Sequence, residues 1–244
     1  MSQSVQPSNS CFSAAIFDMD GVLVDSNPFH VEKWKALLRA RNIPFSPDEL
    51  PRQILGQRND NAFRLFFGSG LGAEEIRRLG AELEAEFREA FRPHARPLPG
   101  LEKLLNQLRS ENIPMAVASS AIGENVEFVV SALGLREFFR VIVNGDQVCR
   151  PKPDPEIYLK VAGLLGVAPE GCVAFEDSFV GIEAVKGAGM KCIAIASTFP
   201  RAELIETRAD GVVADFSELS PGELRTLFGE NGARERGGRR PNGS

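Results

Sequence analysis

Residues 13 to 26 read Ser13-Ala14-Ala15-Ile16-Phe17-Asp18-Met19-Asp20-Gly21-Val22-Leu23-Val24-Asp25-Ser26. The run Ser13–Phe17 is apolar and ends abruptly in acidic residues and Gly21, the pattern of a buried strand feeding a tight loop. Immediately beyond, from Pro28 to about Arg92, the texture becomes helical. Val31, Trp34, Leu37 and Leu38 recur at helical spacing, and Ala73–Phe91 is a long charged pattern carrying Ile76, Leu79, Leu83 and Phe87. After Pro97-Leu98-Pro99-Gly100 strands and helices alternate. Strand patterns lie at Met115–Ala118, Val141–Val143, Cys172–Phe175, Cys192–Ala196 and, more weakly, Gly211–Val213. Helical patterns lie at Leu101–Ser110, Glu124–Leu133, Pro155–Leu165 and Phe179–Gly187. Such alternation predicts an α/β fold, a doubly wound parallel-sheet (Rossmann-like) core with helices on both faces. The helical block is then an insertion after the first strand. The expected division is residues 12–27 and 97–228 for the core and 28–96 for a helical cap, with residues 1–11 and 229–244 as disordered tails.

In open α/β sheets the ligand crevice lies beyond the carboxyl ends of the strands. Four polar clusters fall at that edge: Asp18/Asp20, Ser119-Ser120, Lys152, and Glu176-Asp177-Ser178. A lone Asp-x-Asp could cap a helix or close a turn. Two acidic pairs at the ends of two strands of one sheet repel each other unless a cation or a proton offsets them. Oxygen-only ligation selects a hard cation, and Mg²⁺ takes one or two carboxylates together with substrate phosphate. The pieces divide into roles. Asp18 can attack phosphorus as a nucleophile, and Asp20 can protonate the leaving oxygen and then deprotonate water. Lys152 offsets charge on the phosphoryl oxygens, and the Ser119 hydroxyl can donate to another. Gly21 lets the backbone turn beside the nucleophile. The chemistry expected is phosphoryl transfer.

Together these residues resemble the haloacid dehalogenase superfamily: Asp18-x-Asp20-Gly21-x-x-x-Asp25-Ser26, then Ser119, Lys152-Pro153-x-Pro155, Glu176-Asp177-Ser178 and Gly181. Asp20 points to phosphate chemistry, because the superfamily's dehalogenases lack the second acidic residue. The helical insertion resembles the small α-helical cap of the β-phosphoglucomutase-like phosphatases. That resemblance implies Mg²⁺ held by Asp18, the Asp20 backbone carbonyl and Asp177, with Glu176 direct or through water. It places His30, Arg58 and Ser120, with Gly21, against the substrate. Trp34, four residues after His30 on the same face, reads as core packing; Asp25 and Ser26 read as the hinge into the cap. Ser178 reads as a cap for the helix that follows.

A β-phosphoglucomutase must also anchor a second, distal phosphate. Here Ala121-Ile122-Gly123 occupies positions where the mutase carries Ser-Lys-Asn. The cap lysine expected on the long helix is missing, with Leu83 near its place. The expectation is a phosphatase of a small phosphorylated metabolite, a sugar phosphate being one case, with phosphomutase as the alternative. A catalytically silent scaffold is disfavoured by the complete set Asp18, Asp20, Lys152 and Asp177.

Composition fits that reading. The 244 residues are 43% apolar and 25% charged with net charge −5, enough for an ordinary buried core. No basic run in the body argues for nucleic acid. The arginines of the Gly229–Ser244 tail read as part of a solvated end. Nothing approaches the roughly 18 apolar residues of a membrane span, and the opening residues lack the charge and apolar run of a signal peptide. Cys11, Cys149, Cys172 and Cys192 are scattered, with no metal-ligand spacing, as in a reducing cytoplasm. The chain is expected to act there as a monomer or weak dimer.

Overall fold

The computed structural model describes residues 12–228; the expectations for the two tails fall outside them. Strand β1 (Ala14–Phe17) leads into four helices, α1 (Asn27–Ala40), α2 (Leu50–Ile54), α3 (Asn59–Phe67) and α4 (Ala73–Phe91). The chain then alternates: α5 (Leu101–Ser110), β2 (Met115–Ala118), α6 (Gly123–Ala132), β3 (Val141–Val143), α7 (Glu156–Leu165), β4 (Cys172–Glu176), α8 (Phe179–Gly187), β5 (Lys191–Ile195), α9 (Arg201–Ile205), β6 (Gly211–Val213) and α10 (Pro221–Thr226). The six strands form one sheet in the order β3-β2-β1-β4-β5-β6. Every pairing is parallel, so the fold is the expected α/β doubly wound core.

Both faces of the sheet are buried, and the two-residue period of a strand sorts its side chains by size. Phe17, Met115, Val117, Phe175, Ile193 and Ile195 point to one face, where they pack with α5, α6 and α10. Ala14, Ala116, Ala118, Ala174, Cys192 and Ala194 point to the other, and their small volumes leave room for the bulky residues of α7 and α8, among them Ile157, Tyr158 and Ile182. Helices α1 to α4 bury an apolar cluster of their own, built around Trp34, Leu38, Leu50, Phe63, Leu79 and Leu83.

Register places the chemistry. Phe17 lies opposite both Val117 and Phe175, so Asp18, Ser119 and Glu176-Asp177 leave the sheet side by side. The helical block is tied to this edge by several contacts. Ser120 Oγ donates to the Gly56 carbonyl at 2.9 Å, Arg58 Nη1 to the carbonyls of Gly145 and Val148, and Arg88 Nη1 to Asn125 Oδ1 at 2.6 Å. Arg52 stacks over Phe179 and pairs with Glu203.

An aromatic layer covers the large-residue face of the sheet. Phe17 and Phe175 stack at 4.7 Å, and Phe216 closes against Phe175 edge-on at 5.3 Å. Phe216→Ala is expected to lower unfolding free energy by about 3–5 kcal/mol, read from the urea midpoint at unchanged slope. The exposed Leu65 serves as control, since Leu65→Ala should stay within about 0.5 kcal/mol.

Candidate active site

The loop after β1 is wound tightly. Asp18 N–H donates to the Phe175 carbonyl at 3.0 Å, the Met19 carbonyl accepts from Leu23 at 2.8 Å, and Gly21 N–H donates to the Val24 carbonyl at 2.7 Å. Gly21 has φ +75°, and a Cβ there would lie 1.9 Å from Asp177 Oδ2. Its part in the geometry is therefore to let β1's loop and β4's carboxylate touch; the substrate-sized cavity beside it does not include Gly21 among its lining residues.

At the floor lies a buried ion cluster. Lys152 Nζ donates to Asp18 Oδ1 at 2.8 Å, to Glu176 Oε1 at 2.6 Å and to the Ala118 carbonyl at 3.2 Å; its side chain is 1% exposed. Tyr158 donates its phenol to Glu176 Oε1 at 2.6 Å. The other oxygen, Oε2, accepts from Asp177 N–H at 3.1 Å and Ser178 Oγ at 3.2 Å. A Cβ on Gly181 would fall 2.0 Å from the Glu176 carboxyl carbon, so only glycine lets α8 begin against this carboxylate. Ser178 does cap α8, accepting from Gly181 N–H. Asp177 Oδ2 accepts from Asn27 Nδ2 at 2.7 Å and from Thr198.

The charges of this cluster do not balance. Burial pushes Asp18 up to about 7, with Lys152 opposing and Glu176 and Asp20 adding to the rise. Burial, then the charges of Glu176 and Asp18, likewise raises Asp177 well above the carboxylate range. Burial would lower Lys152, but Asp18 and Glu176 outweigh it and hold its pKa above the usual lysine value. One ammonium among three buried carboxylates leaves negative charge that a proton or a cation must take up. Asp18, Glu176 and Asp177 each offer an oxygen within 4.8 Å of the others. This all-oxygen donor set fits a hard divalent cation.

Asp20 faces away from the triad. Its Oδ1 accepts from Ser26 Oγ at 2.5 Å and stands 3.4 Å from His30 Nε2. Burial would raise Asp20, but the bonds from His30 and Ser26 and the Lys152 charge bring it below its ordinary value. For His30 burial works the other way, and the bond to Asp20 with the charges of Asp20 and Glu84 raises its pKa. The His30 ring is stacked on Phe87 of α4 at 3.8 Å. Ser26, read from sequence as part of a hinge, touches the Asp20 carboxylate directly.

Above the floor a cavity of about 380 Å³ opens between the sheet edge and the helical block. Asp18, Asp20, His30, Arg58, Ser119 and Ser120 all line it, as do Ala121 and Ile122. Ser119 Oγ accepts from Ala121 N–H at 3.1 Å and does not cap α6, whose N-cap is Ile122. Trp34 is buried in the helical cluster as expected, and it also reaches the cavity. On α4 Leu83 packs into that cluster, while its neighbour Glu84 lines the cavity. Sequence reasoning missed Asn27, Tyr158, Thr198, Glu84 and Asn125. Asn27 adjoins the first motif and carried a local signal, whereas the other four lie outside any recognisable spacing.

The chain matches the haloacid dehalogenase-like hydrolase family over residues 15–195. A chloroplastic 5-amino-6-(5-phospho-D-ribitylamino)uracil phosphatase of Arabidopsis thaliana is 34% identical over 87% of this chain, which spans 57% of that protein's length. A phosphorylated carbohydrates phosphatase of Thermotoga maritima is 34% identical, over 74% of this chain and 83% of the relative. The crystal structure of β-phosphoglucomutase from Clostridium difficile superposes with a TM-score of 0.80 at 25% identity, covering 89% of this chain and 97% of that one. With its strand-end acids, buried lysine and helical insertion, the chain belongs to the haloacid dehalogenase-like hydrolases, is β-phosphoglucomutase-like in fold, and is a phosphoric monoester hydrolase.

Proposed function

We propose that the chain is a Mg²⁺-dependent phosphatase of a small phosphorylated metabolite, sugar phosphates foremost, working through an aspartyl phosphate on Asp18. The observation that carries this reading is the Asp18 carboxylate at the cavity floor, held 2.8 Å from the Lys152 ammonium beside an all-oxygen triad. Asp18, Asp177 and the Asp20 backbone carbonyl would hold Mg²⁺, with Glu176 direct or through water; when bound, the ion neutralises phosphoryl oxygens and favours the charged form of Asp18.

This chain's own residues then do the following. A carboxylate oxygen of Asp18 forms a bond to phosphorus while the ester P–O bond breaks. The leaving oxygen takes a proton from Asp20. Alone, Asp20 is held towards its charged form by Ser26 and His30; an incoming phosphate dianion favours its protonated form. In the second half Asp20 accepts a proton from water, whose oxygen attacks phosphorus and releases Asp18 as carboxylate. Lys152 and Ser119 offset charge on the phosphoryl oxygens. The helical block acts as a cap that keeps bulk water from the intermediate. Water is the favoured acceptor because Ala121 and Ile122 line the cavity and offer a second phosphate no side-chain hydrogen bond. The Thermotoga relative, named for phosphorylated carbohydrates, makes sugar phosphates the first substrates to test. Among the described residues Cys149, Cys172 and Cys192 form no disulfide with one another, and no described helix is long and apolar enough to cross a membrane.

Asp18→Asn should cut phosphate release from an aryl phosphate by at least ~10³-fold; equal release by mutant and wild type would remove Asp18 as nucleophile. With β-glucose 1-phosphate and a trace of the 1,6-bisphosphate, free phosphate should accumulate. Glucose 6-phosphate appearing faster would overturn the phosphatase reading in favour of a mutase. Gly21→Ala adds strain of about 1–2 kcal/mol at positive φ and pushes Asp177 out of place. It should lower kcat by about 100-fold in a chain whose circular dichroism is unchanged.

A further inference from the structure

The cavity has two ends of opposite character. At the floor Lys152 and the proposed cation meet one phosphate. At the cap end the charged groups are Asp60 and Glu84 against Arg58, Arg77 and His30, and none of the three is free, His30 standing 3.4 Å from Asp20 Oδ1. Arg58 Nε stands 3.3 Å from Asp60 Oδ1, with its Nη1 on two backbone carbonyls. Arg77, 69% exposed, pairs with Glu74. The apolar walls between are Trp34, Ile54, Phe63 and Ile122.

Glu84 dominates this end. Its residue is 6% exposed, yet it lines the cavity. Asn59 of α3 donates to Oε1, and Asn125 of α6, itself held by Arg88, donates to Oε2 at 2.5 Å. The carboxylate is thus fixed from the helical block on one side and from the core on the other. No lysine or arginine bonds to it; its partners are two neutral amides. Close by, Asp60 Oδ1 is buried and, beyond its ion pair with the Arg58 guanidinium 3.3 Å away, makes no hydrogen bond. Such an oxygen can still accept a donor, and a substrate hydroxyl or amino group could supply one.

We propose that Glu84 sets the substrate class of this cavity: it accepts a monophosphate ester whose far end carries hydroxyl or amino donors, and it turns away a second phosphate. The proposal rests on the phosphatase reading above. A phosphate brought to the cap end would face two carboxylates, Glu84 buried and Asp60 partly so, with no unpaired cation to offset the repulsion. A polyol or amine would gain acceptors there, and a bare alkyl chain would leave them unmet.

Three six-carbon probes separate these terms: sorbitol 6-phosphate, hexyl phosphate and sorbitol 1,6-bisphosphate, compared by initial rates of phosphate release. Wild type should show kcat/KM for sorbitol 6-phosphate on the order of 10-fold or more above each of the others. Glu84→Gln, which removes the charge at constant shape, should narrow the gap to the bisphosphate at least about 5-fold, and Glu84→Asp should keep it. A structural role alone would scale all three substrates together and leave the ratios unmoved. Release from none of them, nor from an aryl phosphate, overturns the phosphatase reading and this proposal with it. Release with equal kcat/KM for the three, or ratios unchanged in Glu84→Gln, overturns the role of Glu84 alone. Should Glu84→Gln not fold, Glu84→Met, uncharged and of similar length, takes its place in the same three-substrate comparison.

Discussion

Three carboxylates meet where β1 and β4 end, and the Lys152 ammonium, bonded to two of them, offsets part of their charge and ties them to a third strand. An ammonium 1% exposed has lost its water, and that loss costs several kcal/mol unless its three donors find acceptors. Here each does: Asp18, Glu176 and the carbonyl that ends β2. The same bonds fix the relative height of three strand ends, so the geometry of the floor and the register of β2-β1-β4 are one constraint seen twice. Glu176 shows how far the constraint spreads. It takes up Tyr158 from α7, Ser178 and the Asp177 backbone, and it lies against a glycine of α8. Helices on the small-residue face are thereby tied to the chemical edge of the sheet.

Over this charged floor the roof is built on different terms. The helical block packs an apolar cluster of its own and reaches the core through polar contacts that ring the cavity. The residue proposed for proton transfer belongs to both parts. Asp20 leaves β1's loop, yet its carboxylate is held by Ser26 and His30, at the entrance and in the first turn of α1. His30 in turn is clamped on Phe87 of α4. The position of the proposed acid–base group, Asp20, is therefore set by the helices above it, and that of the proposed nucleophile, Asp18, by the strands below.

That division explains what could be read from the sequence. Lys152 stands in the loop before α7 and was marked by its charge within Lys152-Pro153-x-Pro155. Asp18, Ser119 and the Glu176-Asp177 pair were legible because each follows a short apolar run, and a parallel sheet brings such ends to one edge. The order of strands and helices was legible for the same reason. The roof was not. A step of one residue along a helix with 3.6 residues per turn rotates a side chain by about 100°, which is the whole difference between Leu83, packed in the cap cluster, and Glu84, facing the cavity. Tyr158 and Thr198 carry no local pattern, since their partners are Glu176 and Asp177, and only the folded sheet shows which tyrosine or threonine arrives there. Ser26 stands at the entry to α1, where the sequence placed a hinge, and its bond to Asp20 was not legible because the hydroxyl's target lies back across the loop.

The floor alone does not determine where the phosphoryl group goes. Asp18, Asp20 and Lys152 would serve equally whether the second acceptor is water or a sugar hydroxyl, because Asp20 removes a proton from oxygen in either case. What separates the outcomes is whether a bisphosphate can rest in the cavity long enough to turn its other end to Asp18. That requires an anchor for the idle phosphate, which means unpaired cations or several hydroxyls and amides aimed inward. The core offers Ala121 and Ile122 on one wall of the cavity, and the roof offers arginines already matched to Asp60 and Glu74 and the Glu84 carboxylate at the end. On the proposed reading, a phosphorylated Asp18 in such a cavity would meet water sooner than a second phosphate ester, and hydrolysis would follow from the residues that line it.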